Sequence, residues 1–147
     1  QLNIQELQTI VHHRLPIKIF VFNNGGYLSI RGTQDGFLKS NYVGSDPSGG
    51  VSFPDYLRIA EAYGIKASRV SAHEDIHNKI QETLAEPGPA LCEAMVSRTQ
   101  EVIPRVGFDS RADGTFAPRP LEDMYPYLNR KEFLQNMVVE AWSENAK

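Results

Sequence analysis

The chain has 147 residues, 41% of them hydrophobic and 22% charged, the composition of an ordinary globular domain with enough apolar side chain for one core. Lys and Arg number 15 against 18 Asp and Glu, and neither sign is gathered into long blocks, which disfavours a basic nucleic-acid face and a polybasic membrane surface. The single cysteine, Cys92, excludes an internal disulfide and a cysteine metal cluster, and it fits a reducing cytoplasm.

The start, Gln1-Leu2-Asn3-Ile4, lacks an initiator methionine, a basic region and an apolar run. No signal peptide is expected there, and the chain reads as a processed product or an excised fragment. No apolar stretch approaches the roughly 18–20 residues that span a bilayer. Ile4, Leu7, Ile10 and Val11 follow helical spacing, and Asn3 with Glu6 reads as a capping box for a helix that Pro16 should stop. Ile17 to Phe22 is a nearly continuous apolar run, expected of a strand buried on both faces. From Asn23 to Gly50 the chain is glycine-rich and reads as a long loop, the kind more often functional than structural.

Ser52-Phe53-Pro54-Asp55 should open the next helix, with Pro54 in its first turn, and Gly64 should close it. Lys66 to Ser71 reads as a short strand. Ile76, Ile80 and Leu84 mark one face of a further helix that Glu86-Pro87-Gly88-Pro89 ends, and Ala90 to Val96 is a third strand. This alternation predicts a parallel α/β sheet with crossover helices. From Ser97 to Asn129 the pattern gives way to a proline-marked tail, after which Phe133, Leu134, Met137, Val138 and Trp142 form the stripe of a final helix.

The feature with most chemical content is Phe20-Val21-Phe22-Asn23-Asn24-Gly25-Gly26-Tyr27, a strand that breaks into two carboxamides and two glycines. Such a corner suits a ligand at the carboxyl edge of a parallel sheet. Asparagine and glycine also simply end strands in turns, and the pair alone leaves both readings open.

The helix, strand and Asn-Asn between Gln1 and Tyr27, with Asn3-Ile4-Gln5-Glu6-Leu7 at the front, resemble the second half of the thiamine-diphosphate motif. That motif opens with Gly-Asp-Gly-Ser, whose Asp would fall a few positions ahead of Gln1. Pro89-Ala90-Leu91-Cys92-Glu93-Ala94 and Glu101-Val102-Ile103-Pro104 resemble the last strand and exit of acetolactate synthase-type enzymes. Tyr27-Leu28-Ser29-Ile30-Arg31-Gly32-Thr33-Gln34 and Leu121-Glu122-Asp123-Met124-Tyr125-Pro126 are similar to the subgroup associated with bacterial surface-sugar pathways.

The resemblance implies a truncated three-layer thiamine-diphosphate-binding fold. Residues 1–97 would be a partial diphosphate-binding α/β domain, and 98–147 a tail and helix packed on it. It implies thiamine diphosphate and Mg²⁺ as cofactors. Asn24 would give a side-chain oxygen and Gly26 a main-chain carbonyl to the metal, with Tyr27 and Leu28 following along the cofactor. Mg²⁺ favours such hard oxygen ligands. The missing Asp would be the third protein ligand, so this chain alone is expected to bind cofactor weakly and to be inactive. The implied reaction is decarboxylation or carboligation of a 2-oxo acid such as pyruvate, with transferase or lyase outcomes. The implied partner is a pyrimidine-binding domain, from the same or a neighbouring subunit of a homodimer or homotetramer. That domain carries the activating Glu in the family, and no catalytic residue is assigned here. A stable non-catalytic fragment of such an enzyme is the alternative.

Other residues carry weaker signals. His12-His13 read best as a helix end favoured by the dipole. His73-Glu74-Asp75-Ile76-His77 fits the His-Glu-x-x-His pattern of zinc hydrolases, but no third ligand stands out, and a polar first turn is the plainer reading. Cys92 reads as core packing, and Arg105, Arg111 and Arg119 as solvated surface or as contacts to an anionic substrate.

Overall fold

The computed structural model describes residues 3–139. Helix α1 (Glu6–His12) follows a turn in which the Glu6 amide donates to the Asn3 carbonyl. The expected Asn3–Glu6 capping box does not form, because the Glu6 carboxylate instead accepts from the Thr9 hydroxyl at 3.0 Å. The left-handed Arg14 (φ 52°) ends the helix ahead of Pro16, and the Leu15 amide folds back onto the Ile10 carbonyl. His12 is the last helical residue and His13 its cap, as the dipole favours, with their rings edge to face.

Strands β1 (Lys18–Asn23), β2 (Lys66–Val70) and β3 (Ala90–Met95) form a parallel sheet in the order β1-β3-β2. The last strand in sequence is therefore the central one. Ala90, Leu91, Cys92 and Glu93 are all buried on it. β1 corrects an expectation. It is an edge strand of this sheet, and Phe22 is 75% exposed. Ile19 and Val21 join the core while Phe20 and Phe22, on the alternate face, do not. The strand buried over most of its length is β3, from Ala90 to Glu93.

Ala60, Ile65 and Leu91 centre the core, with Leu7, Val11, Ile19, Val21, Tyr56, Tyr63 and Ala67 packed around them. Helices α1 and α3 (Tyr56–Ala62) thus cover one face of the sheet. Asp55 caps α3, its carboxylate accepting from the Leu57 and Arg58 amides, so Pro54 lies just outside the helix rather than in its first turn. Gly64 (φ +72°) closes α3 as expected.

Helix α4 (Ile76–Ala85) crosses from β2 to β3 and packs on both from the other face, with Lys79 near Cys92. Ile76, Ile80 and Leu84 share a helical face, yet all are well exposed; the residue α4 buries is Thr83. Its hydroxyl donates to the Lys79 carbonyl within the same helix, so burial leaves it satisfied. Lys18 ties β1 to the turn before β3 by donating to the carbonyls of Glu86 and Gly88.

The segment expected as loop contains helix α2 (Leu28–Phe37), despite Gly32 and Gly36. A short turn of 3₁₀ helix, Pro47–Gly49, follows it. The tail, as far as it is described, also holds secondary structure. The described residues from Glu101 onward form a compact unit of their own. Within it β4 (Arg105–Val106) pairs with β7 (Met124–Tyr125), and β5 (Phe108–Ser110) pairs with β6 (Phe116–Pro118), both antiparallel. Asp123 joins this unit together by accepting from Arg119 and Arg130. Helix α5 (Arg130–Asn136) is shorter than the stripe predicted: Met137 is already extended and Val138 is exposed. Trp142 lies outside the described residues. No helix among the described residues is long and apolar enough to cross a membrane.

Candidate functional site

The carboxyl end of β1 delivers the Asn-Asn-Gly-Gly corner. The Asn23 side-chain oxygen accepts from the Gly25 amide, and that of Asn24 accepts from the Gly26 amide, both at 3.1 Å. These are two successive Asx turns, each using a carboxamide to bend the backbone. Gly25 takes the left-handed conformation (φ +65°) that this bend requires.

Gly26 is needed for space. A Cβ there would stand 2.7 Å from the Ser45 carbonyl oxygen and 3.0 Å from the Arg31 guanidinium. Ser45 is fully buried, and its carbonyl also accepts the Tyr27 amide at 2.8 Å. Its hydroxyl donates to Gln34 at 2.6 Å, while the Gln34 amide donates to the Val43 carbonyl. Gln34 and Arg31 are buried at helical spacing on α2, and Arg31 donates to the Asn24 carbonyl at 3.3 Å. These contacts explain why α2 forms in a glycine-rich stretch: tertiary anchors outweigh a propensity cost of about 1 kcal/mol per glycine.

Tyr27 occupies the cap position of α2 and Leu28 its first helical residue. The Tyr27 ring, half exposed, meets Phe53 edge to face. Asn24, Gly26, Tyr27 and Leu28 thus lie together where a strand ends and a helix begins. Unpaired amides at such a helix start favour anions.

Beneath the corner lies a buried charge. Glu93, 1% exposed on β3, accepts from the Asn23 amide nitrogen at 2.6 Å and from the Arg69 guanidinium at 2.6 Å. The carboxylate holds the Arg69 pKa above its usual value. To one side Asp46, also buried, accepts from the Ser48 hydroxyl and the Ser48 and Gly49 amides, and from Arg98 at 3.2 Å. The Ser48 hydroxyl is the chief reason its carboxyl stays below the ordinary range. The Arg98 side chain passes beside Gly25.

None of Glu93, Arg69, Arg31, Asp46 or Arg98 was singled out from sequence as a site residue. Glu93 left a trace there, as a lone carboxylate in the apolar run Ala90 to Met95. His73 and His77 are exposed; the first sits in a 3₁₀ turn and the second on α4, so they do not share one continuous α-helix. Among the described residues no group of three or more His, Cys, Asp or Glu could hold a metal.

Residues 1–94 match the thiamine pyrophosphate enzyme, C-terminal TPP binding domain. The chain belongs to this family. It is 35% identical over 106 residues to the acetolactate synthase large subunit of Cyanidium caldarium, covering 72% of this chain and 18% of that protein. Against the chloroplastic acetolactate synthase 2 of Nicotiana tabacum the identity is 36% over 109 residues, 71% of this chain and 16% of that one. Among solved structures it is similar to a Rhodococcus jostii RHA1 thiamine diphosphate-dependent 4-hydroxybenzoylformate decarboxylase. The TM-score is 0.57 at 28% identity, over 64% of this chain and 17% of the other. The chain therefore spans less than a fifth of the length of these relatives.

The corner fits the family's cofactor in kind. Asn24 and Gly26 offer neutral hard oxygens suited to Mg²⁺, and Gly26 keeps side-chain atoms out of the bend. Asp46, the buried carboxylate next to Ser45, is already engaged by three hydrogen-bonding groups of its own loop and by Arg98.

Proposed function

We propose that the Asn23–Leu28 corner binds the diphosphate of thiamine diphosphate through Mg²⁺, within an acetolactate synthase-like enzyme acting on 2-oxo acids. In this reading the Asn24 side-chain oxygen and the Gly26 carbonyl are metal ligands, and the carboxylate that the motif places ahead of Gln1 completes the protein's share. The first amides of α2 face the diphosphate charge, and Tyr27 and Leu28 border the cofactor. When bound, thiamine diphosphate supplies the carbanion stabilisation by which a 2-oxo acid loses carbon dioxide. The chain's own residues bind and orient it. The observation that carries the reading is the pair of consecutive Asx turns at the carboxyl edge of a parallel sheet, running straight into a helix start.

The same reading includes a pyrimidine-binding domain, contributed by the same or a neighbouring subunit of a homodimer or homotetramer. It also includes a cytoplasmic setting, supported by the free, buried thiol of Cys92. The test is titration of the intact enzyme with thiamine diphosphate at varied Mg²⁺. Asn24→Ala is expected to raise the half-saturating Mg²⁺ concentration at least about tenfold, as loss of a metal ligand should exceed the smaller losses known for outer partners. Binding that does not depend on Mg²⁺, or that ignores Asn24, would sink the reading.

A further inference from the structure

We infer that Glu93, backed by Arg69, is a positioning residue for the corner: it fixes the orientation of Asn23, and through Asn23 the two turns that present Asn24 and Gly26. The inference rests on the metal-binding reading above.

Glu93 sits in the middle of the central strand, in one row with Val21 of β1 and Arg69 of β2. A carboxylate 1% exposed in such a place is costly unless both oxygens are paired. Both are: one takes the Asn23 amide nitrogen and the other the Arg69 guanidinium, each at 2.6 Å. Stability alone does not call for a charge here, because apolar replacements of buried ion pairs are often neutral or stabilising. What an apolar side chain lacks is a directional acceptor.

That direction decides how Asn23 stands. A carboxamide can be turned over, exchanging its oxygen and nitrogen, but an ionised carboxylate only accepts. Asn23 must therefore show Glu93 its nitrogen, which leaves its oxygen for the Gly25 amide at 3.1 Å. Turned over, it would set oxygen against oxygen and amide against amide. With Asn23 fixed, Gly25 is held left-handed and Asn24 follows into the second turn, onto the Gly26 amide. The two asparagines thus divide the work: Asn23 sets the corner, and Asn24 faces the metal.

The experiment uses the intact enzyme and measures thiamine diphosphate binding against Mg²⁺, with apo-enzyme melting recorded beside it. Glu93→Leu is expected to raise the half-saturating Mg²⁺ concentration by about 10–100-fold, the usual effect of losing a group that orients a ligand, and to lower the melting temperature, since Asn23 and Arg69 lose their acceptor. Glu93→Gln keeps the shape but has one oxygen, which the Arg69 guanidinium claims, so its amide faces Asn23 and no longer fixes it. It too is expected to raise the half-saturating concentration at least about tenfold. In an Asn23→Ala background Glu93→Leu should add less than about threefold, since a residue that acts through another is not additive with it.

A Glu93→Leu enzyme with unchanged half-saturation overturns the inference. So does a full effect that persists without Asn23, or a Glu93→Gln enzyme that binds as tightly as wild type. Should Glu93→Leu not fold, Asn23→Ala decides alone: its half-saturation must rise at least about tenfold, and an unchanged value overturns the inference. If the wild-type enzyme shows no Mg²⁺-dependent binding, the metal reading itself falls and takes this inference with it. If wild type binds and the variants do not shift, only the inference falls.

Discussion

Gly25 and Gly26 stand side by side in the corner but are glycine for different reasons, one conformational and one spatial. The spatial one gives the sharper prediction. Ser45, the residue a Gly26 side chain would strike, is fully buried and held through its carbonyl by Tyr27 and through its hydroxyl by Gln34. It cannot step back without breaking those bonds. Gly26→Ala is therefore expected to cost about 1–3 kcal/mol, as overpacking does, and to weaken cofactor binding as well. Chemical denaturation and cofactor titration would show it, and a variant unchanged in both would mean that Ser45 yields freely. The residues of this corner were legible in the sequence because Asn-Asn-Gly-Gly is local. The Glu93 contacts were not, because they join positions 70 and 24 apart that only the parallel register brings together.

Helix α2 and the segment after it show what local reading leaves out. Gly32 and Gly36 suggested loop, and nothing nearby revealed that Arg31 and Gln34 would be anchored by partners beyond the helix. The same holds for the tail, where the proline-marked stretch yields two short antiparallel pairs held by Asp123, Arg119 and Arg130. Among the segments read correctly, β2, β3 and the close of α3 have contiguous signals, and the parallel sheet with its crossover helix α4 follows from their alternation. The turn at Pro47–Gly49 carries a pH prediction. The pKa of Asp46 lies below its ordinary value of 3.8, chiefly through the Ser48 hydroxyl. A folded value below the unfolded one means stabilisation that is complete above pH 3.8 and lost as pH falls through the lower, folded value. Hydrogen exchange should accordingly show the Gly44 and Gly49 amides losing protection in acid while β3 keeps its own. Protection that stays flat across that window would contradict the role given to Asp46.

At the scale of the whole molecule, the core draws on α1, β1, α3, β2 and β3 around Ala60, Ile65 and Leu91, and β3 touches both other strands while they do not pair with each other. A chain cut before Ala90 is expected to lack the sheet altogether, with β1 amides exchanging freely; protected β1 amides in such a chain would show that β1 folds without β3. The strand order also has a meaning in time. Lys18 waits for Ala90 and Asn23 for Met95, and contacts across so many residues form slowly. During synthesis the carboxylate that aims Asn23 emerges 70 residues after it. On the proposed reading, a nascent chain stopped between the two strands carries Asn24 and Gly26 without the carboxylate that orients their corner.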